Sequence, residues 1–260
     1  MEHRILSPHL AARENVIETY LELARAVPQS EIEWRSDYVV VRGPSSLSFC
    51  NFAARFEASH PVHGLAEEIA DLSHHWPGFW IFVTDGDRPT DLSERLIQAG
   101  FMVRQTLSQM IWEPDGVEYE EFGQVMEGLV PRREMARFMA DQFFVRTPQS
   151  IRAEIAEATA RSTHRLISVR DEIGAFLGGV MMSRTPNSVG LYNLCVSPQF
   201  RHKGMGSSLV REVQTQATAL GVPVVLQCHG PLIEWYETLG FRTVGQLRAF
   251  TWGTGWRDII

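Results

Sequence analysis

Leu209, Val210, Val213, Ala217 and Leu220 recur at helical spacing, and Gly221 ends the run as a C-terminal stop. Just ahead of that helix, Val189-Gly-Leu-Tyr-Asn-Leu-Cys-Val196 is a short apolar stretch of strand formers, read as a buried strand. The same reading applied from the start of the chain predicts a helix over Ala12–Ala26, strands at Tyr38–Arg42 and Leu47–Ala53, and a helix over Leu65–Ser73. A strand at Phe79–Val83, a helix over Asp91–Gln98 and strands across Met102–Trp112 follow. Beyond them the pattern predicts a strand near Gly123–Glu127, helices near Arg132–Gln142 and Pro148–Arg161, and strands at Arg165–Arg170 and Ala175–Met182. Past the Leu209 helix come a strand over Val222–Cys228 and a short helix, with Pro231 in its first turn and Gly240 at its exit before Phe241. Helices and strands alternate throughout, which defines an α/β chain with a mixed sheet.

The pattern is duplicated. Gly100-Phe101 and Gly240-Phe241 lie 140 residues apart, and at the same offset Glu94 meets Glu234, Leu107 meets Leu247 and Trp112 meets Trp252. Each segment is a helix ending in Gly-Phe that leads into strands closing on tryptophan. Two αβ units of similar plan are therefore expected side by side, over 1–114 and 121–260, with the acidic stretch Asp115-Gly-Val-Glu-Tyr-Glu-Glu121 as linker.

Composition narrows the function. The chain is 44% hydrophobic and 21% charged, as ordinary globular proteins are, and its net charge of −7 disfavours nucleic-acid or anionic-membrane partners. No apolar run has the length of a membrane span, Met1-Glu-His-Arg-Ile5 lacks a signal-peptide core, and Cys50, Cys195 and Cys228 form no Cys-x-x-Cys pair. Free thiols in a reducing cytoplasm are the expectation.

The local exception to the acidic balance is Val196-Ser-Pro-Gln-Phe-Arg-His-Lys-Gly-Met-Gly206. A strand feeding a Gly-rich turn into a helix aims free N–H groups and the positive end of the helix dipole at one point, favouring each nearby negative charge by roughly 0.3–1 kcal/mol. Gly204 and Gly206 allow close approach of an oxygen, and Arg201, His202 and Lys203 add cationic or donor side chains. The turn lacks the lysine of a Walker loop. Leu209 stands where a dinucleotide fingerprint needs a small residue, and the next strand ends in Cys228-His229 without a carboxylate.

What remains, Arg-x-x-Gly-x-Gly after a Val-x-Pro strand end, resembles the pyrophosphate loop of the GNAT superfamily of N-acetyltransferases. Tyr236-Glu-Thr-Leu-Gly-Phe241 is similar to the end of that superfamily's last helix. The resemblance implies two tandem GNAT-like domains, the second with the intact coenzyme A site. It also implies a gap between the fourth and fifth strands of that domain, where the carrier's pantetheine arm pairs with Leu194, Cys195 and Val196. The diphosphate would lie on Arg201, His202, Lys203, Gly204, Met205, Gly206 and Ser207. Tyr236 would be the general acid toward the leaving thiolate, since a phenol with a pKa near 10 is protonated at neutral pH. His229 stands seven residues before Tyr236, where many members carry asparagine, and can still hydrogen-bond the carrier or take a proton from the acceptor. Asn193 occupies a fourth-strand position where many members carry a carboxylate base, so the base is left open.

The first copy has lost this chemistry. At the 140 offset Arg201 falls on Pro61, Pro198 on Ala58, Gly206 on Ala66 and Tyr236 on Leu96, and only Gly204 is matched, by Gly64. A structural role is expected for that half, burying one face of the other or walling the acceptor pocket.

Competing constellations are weaker. His60, His63, His74 and His75 cluster in sequence, but the first two lie in the decayed loop and the last two cap a helix, so no metal is expected. Cys195 and Cys228 read as small buried fillers rather than nucleophiles, Pro131-Arg-Arg-Glu134 as a solvated helix start, and Phe143-Phe144 and Trp235 as core before pocket wall. The reading is an acetyltransferase moving an acetyl group from acetyl-CoA, its cosubstrate, to a small-molecule or peptide amine by direct attack. The alternatives are a non-catalytic acyl-CoA-binding sensor or scaffold, which would not need Tyr236, and a nucleotide-binding enzyme.

Overall fold

The computed structural model describes residues 6–44, 47–58, 64–76, 78–117 and 122–253. The first half runs α1 (Pro8–Arg25), β1 (Glu31–Trp34), β2 (Val39–Arg42), a 3-10 turn at Ser48–Cys50, β3 (Phe52–Ala54), α2 (Leu65–His75), β4 (Trp80–Thr84), α3 (Leu92–Gln98) and β5 (Phe101–Trp112). The second runs β6 (Gln124–Val125), α4 (Leu129–Phe143), α5 (Gln149–Arg161), β7 (Arg165–Arg170), β8 (Phe176–Arg184), β9 (Val189–Val196), a 3-10 turn at Pro198–Phe200, α6 (Met205–Leu220), β10 (Val224–Cys228), α7 (Gly230–Glu237) and β11 (Arg242–Trp252).

The periodic segments form as expected, and the departures have local causes. The stretch expected as a strand from Leu47 spends Ser48–Cys50 in a 3-10 turn, braced by Asn51 donating to the carbonyls of Pro44 and Leu47. Only Phe52–Ala54 is extended. β1 went unpredicted because Glu31-Ile-Glu-Trp34 lies on the sheet edge, where neither face is buried. Met102–Trp112 belongs to one long strand rather than a pair. Arg132 is no solvated side chain: its guanidinium donates to the carbonyls of Ala160, Ser162 and His164 at 2.7–2.9 Å, capping the C-terminal end of α5.

Among the described residues the strands join one eleven-stranded mixed sheet of order β1-β2-β3-β4-β11-β5-β10-β9-β8-β7-β6. Apart from β6 the order reads alike from both ends, antiparallel pairs leading to one parallel pair, β3·β4 on one side and β9·β10 on the other. The two halves exchange their last strands. β5 pairs with β10, and β11 pairs with β4, while β5 and β11 lie antiparallel to each other at the centre. The packing is exchanged as well: Met110 and Trp112 enter the core around α6 and α7, and Phe250 and Trp252 the core around α2 and α3. Each closing tryptophan covers the other half's glycine. A Cβ on Gly240 would lie 3.1 Å from Trp112, and one on Gly100 3.4 Å from Trp252. The duplicated Gly-Phe and Trp are thus partners across the repeat.

Helix α1 lies on the face opposite α6 and α7 and serves both halves. Val16, Ile17 and Leu21 pack on β2, β3 and β4, whereas Ala12 meets Ile111 of β5 and Val225 of β10. Arg13 donates to Asp87 at 2.8 Å, and Glu22 accepts from the Thr163 hydroxyl at 2.9 Å. His164, 4% exposed, bonds through Nε2 to the Thr19 carbonyl at 3.2 Å, and burial pushes its pKa down. The unfolded chain therefore takes up a proton below about pH 6.5 that folded His164 resists, so this contribution is present at neutral pH and lost on acidification, by at most about 1.4 kcal/mol per pH unit. The melting temperature of His164→Gln, which can keep the bond to Thr19, should fall less between pH 7.5 and 5.5 than that of the wild type.

Two glycines on β8 set up the strand that carries the site. A Cβ on Gly178 would lie 2.9 Å from the Cys195 carbonyl, and one on Gly179 1.9 Å from Met135 Cε and 2.6 Å from the Ile167 carbonyl. Gly179→Ala is expected to destabilise the fold by about 1–3 kcal/mol through overpacking, read as a lowered melting temperature.

Candidate functional site

β9 and β10 start as parallel neighbours, paired at Val189↔Val224 and Gly190↔Val225, and then part. β10 stays bonded to β5 as far as Cys228↔Ser108, so the gap opens on its β9 side. Beyond Gly190, no strand among the described residues lies along that edge of β9. It also bulges: Tyr192 pairs with Met181 and Cys195 with Gly179, leaving Asn193 and Leu194 opposite the single Val180. Asn193 has φ +50°, a left-handed conformation uncommon for a side chain other than glycine. A bulge beside a gap turns backbone groups out of the ladder toward an incoming chain.

The strand ends at Val196 and turns over Pro198–Phe200 into α6. Arg201, His202, Lys203 and Gly204 are exposed, and Arg201 Nε donates to the Val196 carbonyl at 3.1 Å, tying the turn to the strand end. Gly204 is the N-cap of α6 at φ +83°, with no side chain capping the helix. Among the described residues no acceptor meets the amides from Lys203 to Ser207, while the next, Ser208, bonds to the Gly204 carbonyl at 3.0 Å. Unpaired N–H groups at a helix start, beside the cationic side chains of Arg201 and Lys203, suit a diphosphate. The first copy offers the reverse: Gly64 also caps its helix at φ +97°, but Glu67 and Glu68 occupy the first turn of α2 and repel an anion.

Gly206 places the turn beside α7. A Cβ there would sit 3.6 Å from Trp235 and 4.0 Å from Val196, ordinary contacts at an unstrained position. The protein therefore has room for alanine, and Gly206→Ala should leave the melting temperature unchanged or slightly raised, since glycine is a poorer helix former than alanine by about 1 kcal/mol. If a phosphate oxygen packs against the glycine backbone, the added methyl group crowds it and weakens binding of a diphosphate-bearing carrier, measured by calorimetry. Opposite signs for stability and affinity separate the two roles.

Trp235 links the turn to Tyr236, the two rings lying 4.6 Å apart. Tyr236 is 6% exposed in the core with Cys228, at the end of β10, and Phe241, and its hydroxyl has no hydrogen-bond partner among the described residues. Burial, then the neighbouring Cys228, raises the phenol pKa above its ordinary value, so the proton stays on oxygen at neutral pH. The structure thus gathers Leu194, Cys195, Val196, the Arg201–Ser207 turn and, through Trp235, Tyr236. His229 is drawn elsewhere: its Nε2 lies 3.0 Å from Gln105 Nε2 on β5, across β10 from the gap.

Burial pushes the Cys195 thiol up to about 12 and the Cys228 thiol up to about 11, so neither is a nucleophilic thiolate near neutrality. Among the described residues no group of three or more His, Cys, Asp or Glu is placed to hold a metal. His60 and His63 lie outside those residues, His74 packs on Trp252, and His75 bonds to the Asp71 carbonyl. Phe143 is half exposed beside Phe144, and Phe144 packs on the α4–α5 core. A cleft of about 550 Å³ lies at the far end of the strands, lined by Glu22, Arg165, Arg184 and Gln216, and has no part of the turn in its wall. No helix among the described residues is long and apolar enough to cross a membrane.

Residues 162–243 match the family model of the acetyltransferase (GNAT) domain. The match lies wholly within the second half and spans β7 to the start of β11. A GCN5-related N-acetyltransferase from Kribbella flavida is similar over 95% of this chain and 96% of its own, at 14% identity and a TM-score of 0.68. One from Sphaerobacter thermophilus aligns over 95% and 93%, at 14% identity and a TM-score of 0.58. A tandem GNAT protein from the clavulanic acid biosynthesis pathway aligns over 89% and 86%, at 15% identity and a TM-score of 0.57. At these identities the likeness is one of fold, and the fold is the mixed α/β architecture of GNAT acetyltransferases. No curated protein sequence matches the chain.

Proposed function

We propose that the protein is an acetyl-CoA-dependent N-acetyltransferase, with residues 1–114 and 121–260 as its two copies of the fold and one working site in the second. The observation that carries this reading is the open turn at Arg201–Ser207, with its free amides beside the gap between β9 and β10. Those amides and Arg201 would hold the diphosphate, and the free edge of β9 at Leu194–Val196 would pair with the pantetheine arm. A bound thioester supplies an electrophilic carbonyl and a thiolate leaving group.

The chain's own residues do the rest. The turn and the gap fix the carrier's position, which takes much of the entropic cost out of the reaction. An N–H of the Asn193–Leu194 bulge steadies the carbonyl oxygen as negative charge develops, a contribution of about 3 kcal/mol at comparable sites. Tyr236 donates its phenolic hydrogen to the departing sulfur. Its raised pKa makes complete transfer costly unless a proton arrives from the attacking amine, so the two proton movements are coupled. The burial of Cys195 and Cys228 and their raised thiol pKa values support direct attack by the amine over an acyl-cysteine route.

Calorimetry against acetyl-CoA, ATP and NAD tests the first half of this reading, with binding of acetyl-CoA alone as the expected result. Release of free coenzyme A across a panel of small and peptide amines tests the second. Preferential binding of ATP or NAD overturns the assignment. Acetyl-CoA binding without turnover on any amine favours a sensor module instead.

A further inference from the structure

The half of the chain that has lost the carrier turn still reaches the strand that bears the gap. Resting on the acetyltransferase reading, we propose that Asn15 of α1 is a positioning residue for acyl transfer, holding Tyr192 and through it the β9 bulge.

Asn15 is fully buried, and both ends of its amide are used on β9 and the turn before it. Tyr192 donates its hydroxyl hydrogen to Asn15 Oδ1 at 2.9 Å, and Asn15 Nδ2 donates to Ser188 Oγ at 3.1 Å. One turn along the helix, the Thr19 hydroxyl lies 2.7 Å from the Asn15 carbonyl and 2.8 Å from Ser183 Oγ on β8. The side-chain amide accepts from the phenol and donates to the serine at once, and leucine, which has neither group, can do neither. β9 is shaped for the contact, because a Cβ on Gly190 would fall 2.0 Å from Asn15 Oδ1 and 2.4 Å from Tyr192 Cε2.

The position of the bond along β9 gives it its consequence. Gly190 is the last residue paired with β10, and Tyr192 is the last paired with β8 before the bulge. On the side of the gap Tyr192 therefore has no ladder to hold it, and its side chain is the anchor. Asn193, next in sequence, sits at φ +50°, a conformation that persists only where its flanks are held. The downstream flank is gripped by Gly178 and Gly179 against Cys195 and Met135. Asn15 supplies the upstream grip from the other half of the molecule. Removing it lets the bulge relax and turns its amides away from the carbonyl they should face, while the diphosphate turn keeps its shape.

Hydrogen exchange and kinetics on the full chain test this with Tyr192→Phe, Asn15→Leu and the double variant. Glu22→Gln, which alters a different contact between the halves, serves as control. The expected result is exchange over 192–196 faster by about tenfold in each single variant and no faster in the double, as for two ends of one interaction. Exchange over 165–170 should be unchanged, and the control should match the wild type over 192–196. In turnover, kcat should fall about tenfold with KM for acetyl-CoA within about twofold, since the loss lies in the transition state rather than in binding. Unchanged exchange at 192–196 in Tyr192→Phe, a uniform rise through all strands, additive effects in the double, or faster exchange with an unaltered kcat would each overturn the proposal. Exchange needs no acyl carrier, so a wild type that binds no acetyl-CoA would sink the acetyltransferase reading by a separate measurement.

Discussion

A chain that starts at residue 121 should not fold by itself, although it contains the whole GNAT domain match. β5 lies outside it, and β5 is the antiparallel neighbour of β10 from Val224↔Trp112 to Cys228↔Ser108 and of β11 from Arg242↔Ile111 to Trp252↔Phe101. Without β5, β10 becomes an open edge and β11 has no strand on either side, since β4 is missing too. The core around α6 and α7 also loses Met110 and Trp112, 0% and 3% exposed in the whole chain. Deleting side chains of that size from a core costs about 2–5 kcal/mol each, against a total stability of about 5–15 kcal/mol for a typical domain. Far-UV circular dichroism and size-exclusion chromatography should show an unfolded or aggregated fragment, and co-expression with 1–114 should restore a soluble complex through the exchanged strands. A monomeric 121–260 fragment with a cooperative melt would show that the exchange is dispensable.

Tyr236→Phe should reduce turnover by tenfold or more, toward the roughly 10²–10⁴-fold that positioned proton donors contribute, while leaving acetyl-CoA affinity intact. The substitution removes an oxygen that has no hydrogen-bond partner among the described residues, and it keeps the ring contacts with Trp235 at 4.6 Å and Phe241 at 5.5 Å. Stability should therefore change little, and the turn at Arg201–Ser207, to which the proposal assigns the affinity, is untouched. The pH profile supplies an independent check. Burial raises the phenol pKa, so the protonated form persists as pH passes the ordinary tyrosine value of about 10. Activity should rise with deprotonation of the acceptor amine and show no descending limb from Tyr236 below that pH. Undiminished turnover in Tyr236→Phe would reduce the residue to a core aromatic.

The candidate site was legible because its parts are local. Arg201, Gly204 and Gly206 stand within one turn between a strand and a helix, and Tyr236 precedes its Gly-Phe helix exit at short range. Helix starts and glycine turns are set by neighbours in sequence, so a single sequence records them. The contacts of Asn15 were illegible because nothing near it in sequence marks them; its partners Ser188 and Tyr192 are in the other half. The long-range cap that Arg132 places on α5 was hidden for the same reason. His229 could be placed near the tyrosine by spacing alone, but its bond to Gln105 depends on β5 crossing from the first half.

By itself the sequence determined the alternation of helices and strands, the repeated Gly-Phe and Trp pattern, and the glycine turn between a strand and a helix at Arg201–Gly206, because each rests on periodicity, spacing or residue type over short distances. Only the tertiary structure decided which copy each closing strand completes. Phe101–Trp112 and Arg242–Trp252 have equivalent patterns, and either could close either half. The exchange follows from strand pairing and from two tryptophans, each seated over the other copy's glycine, and those contacts exist only once both halves are folded together.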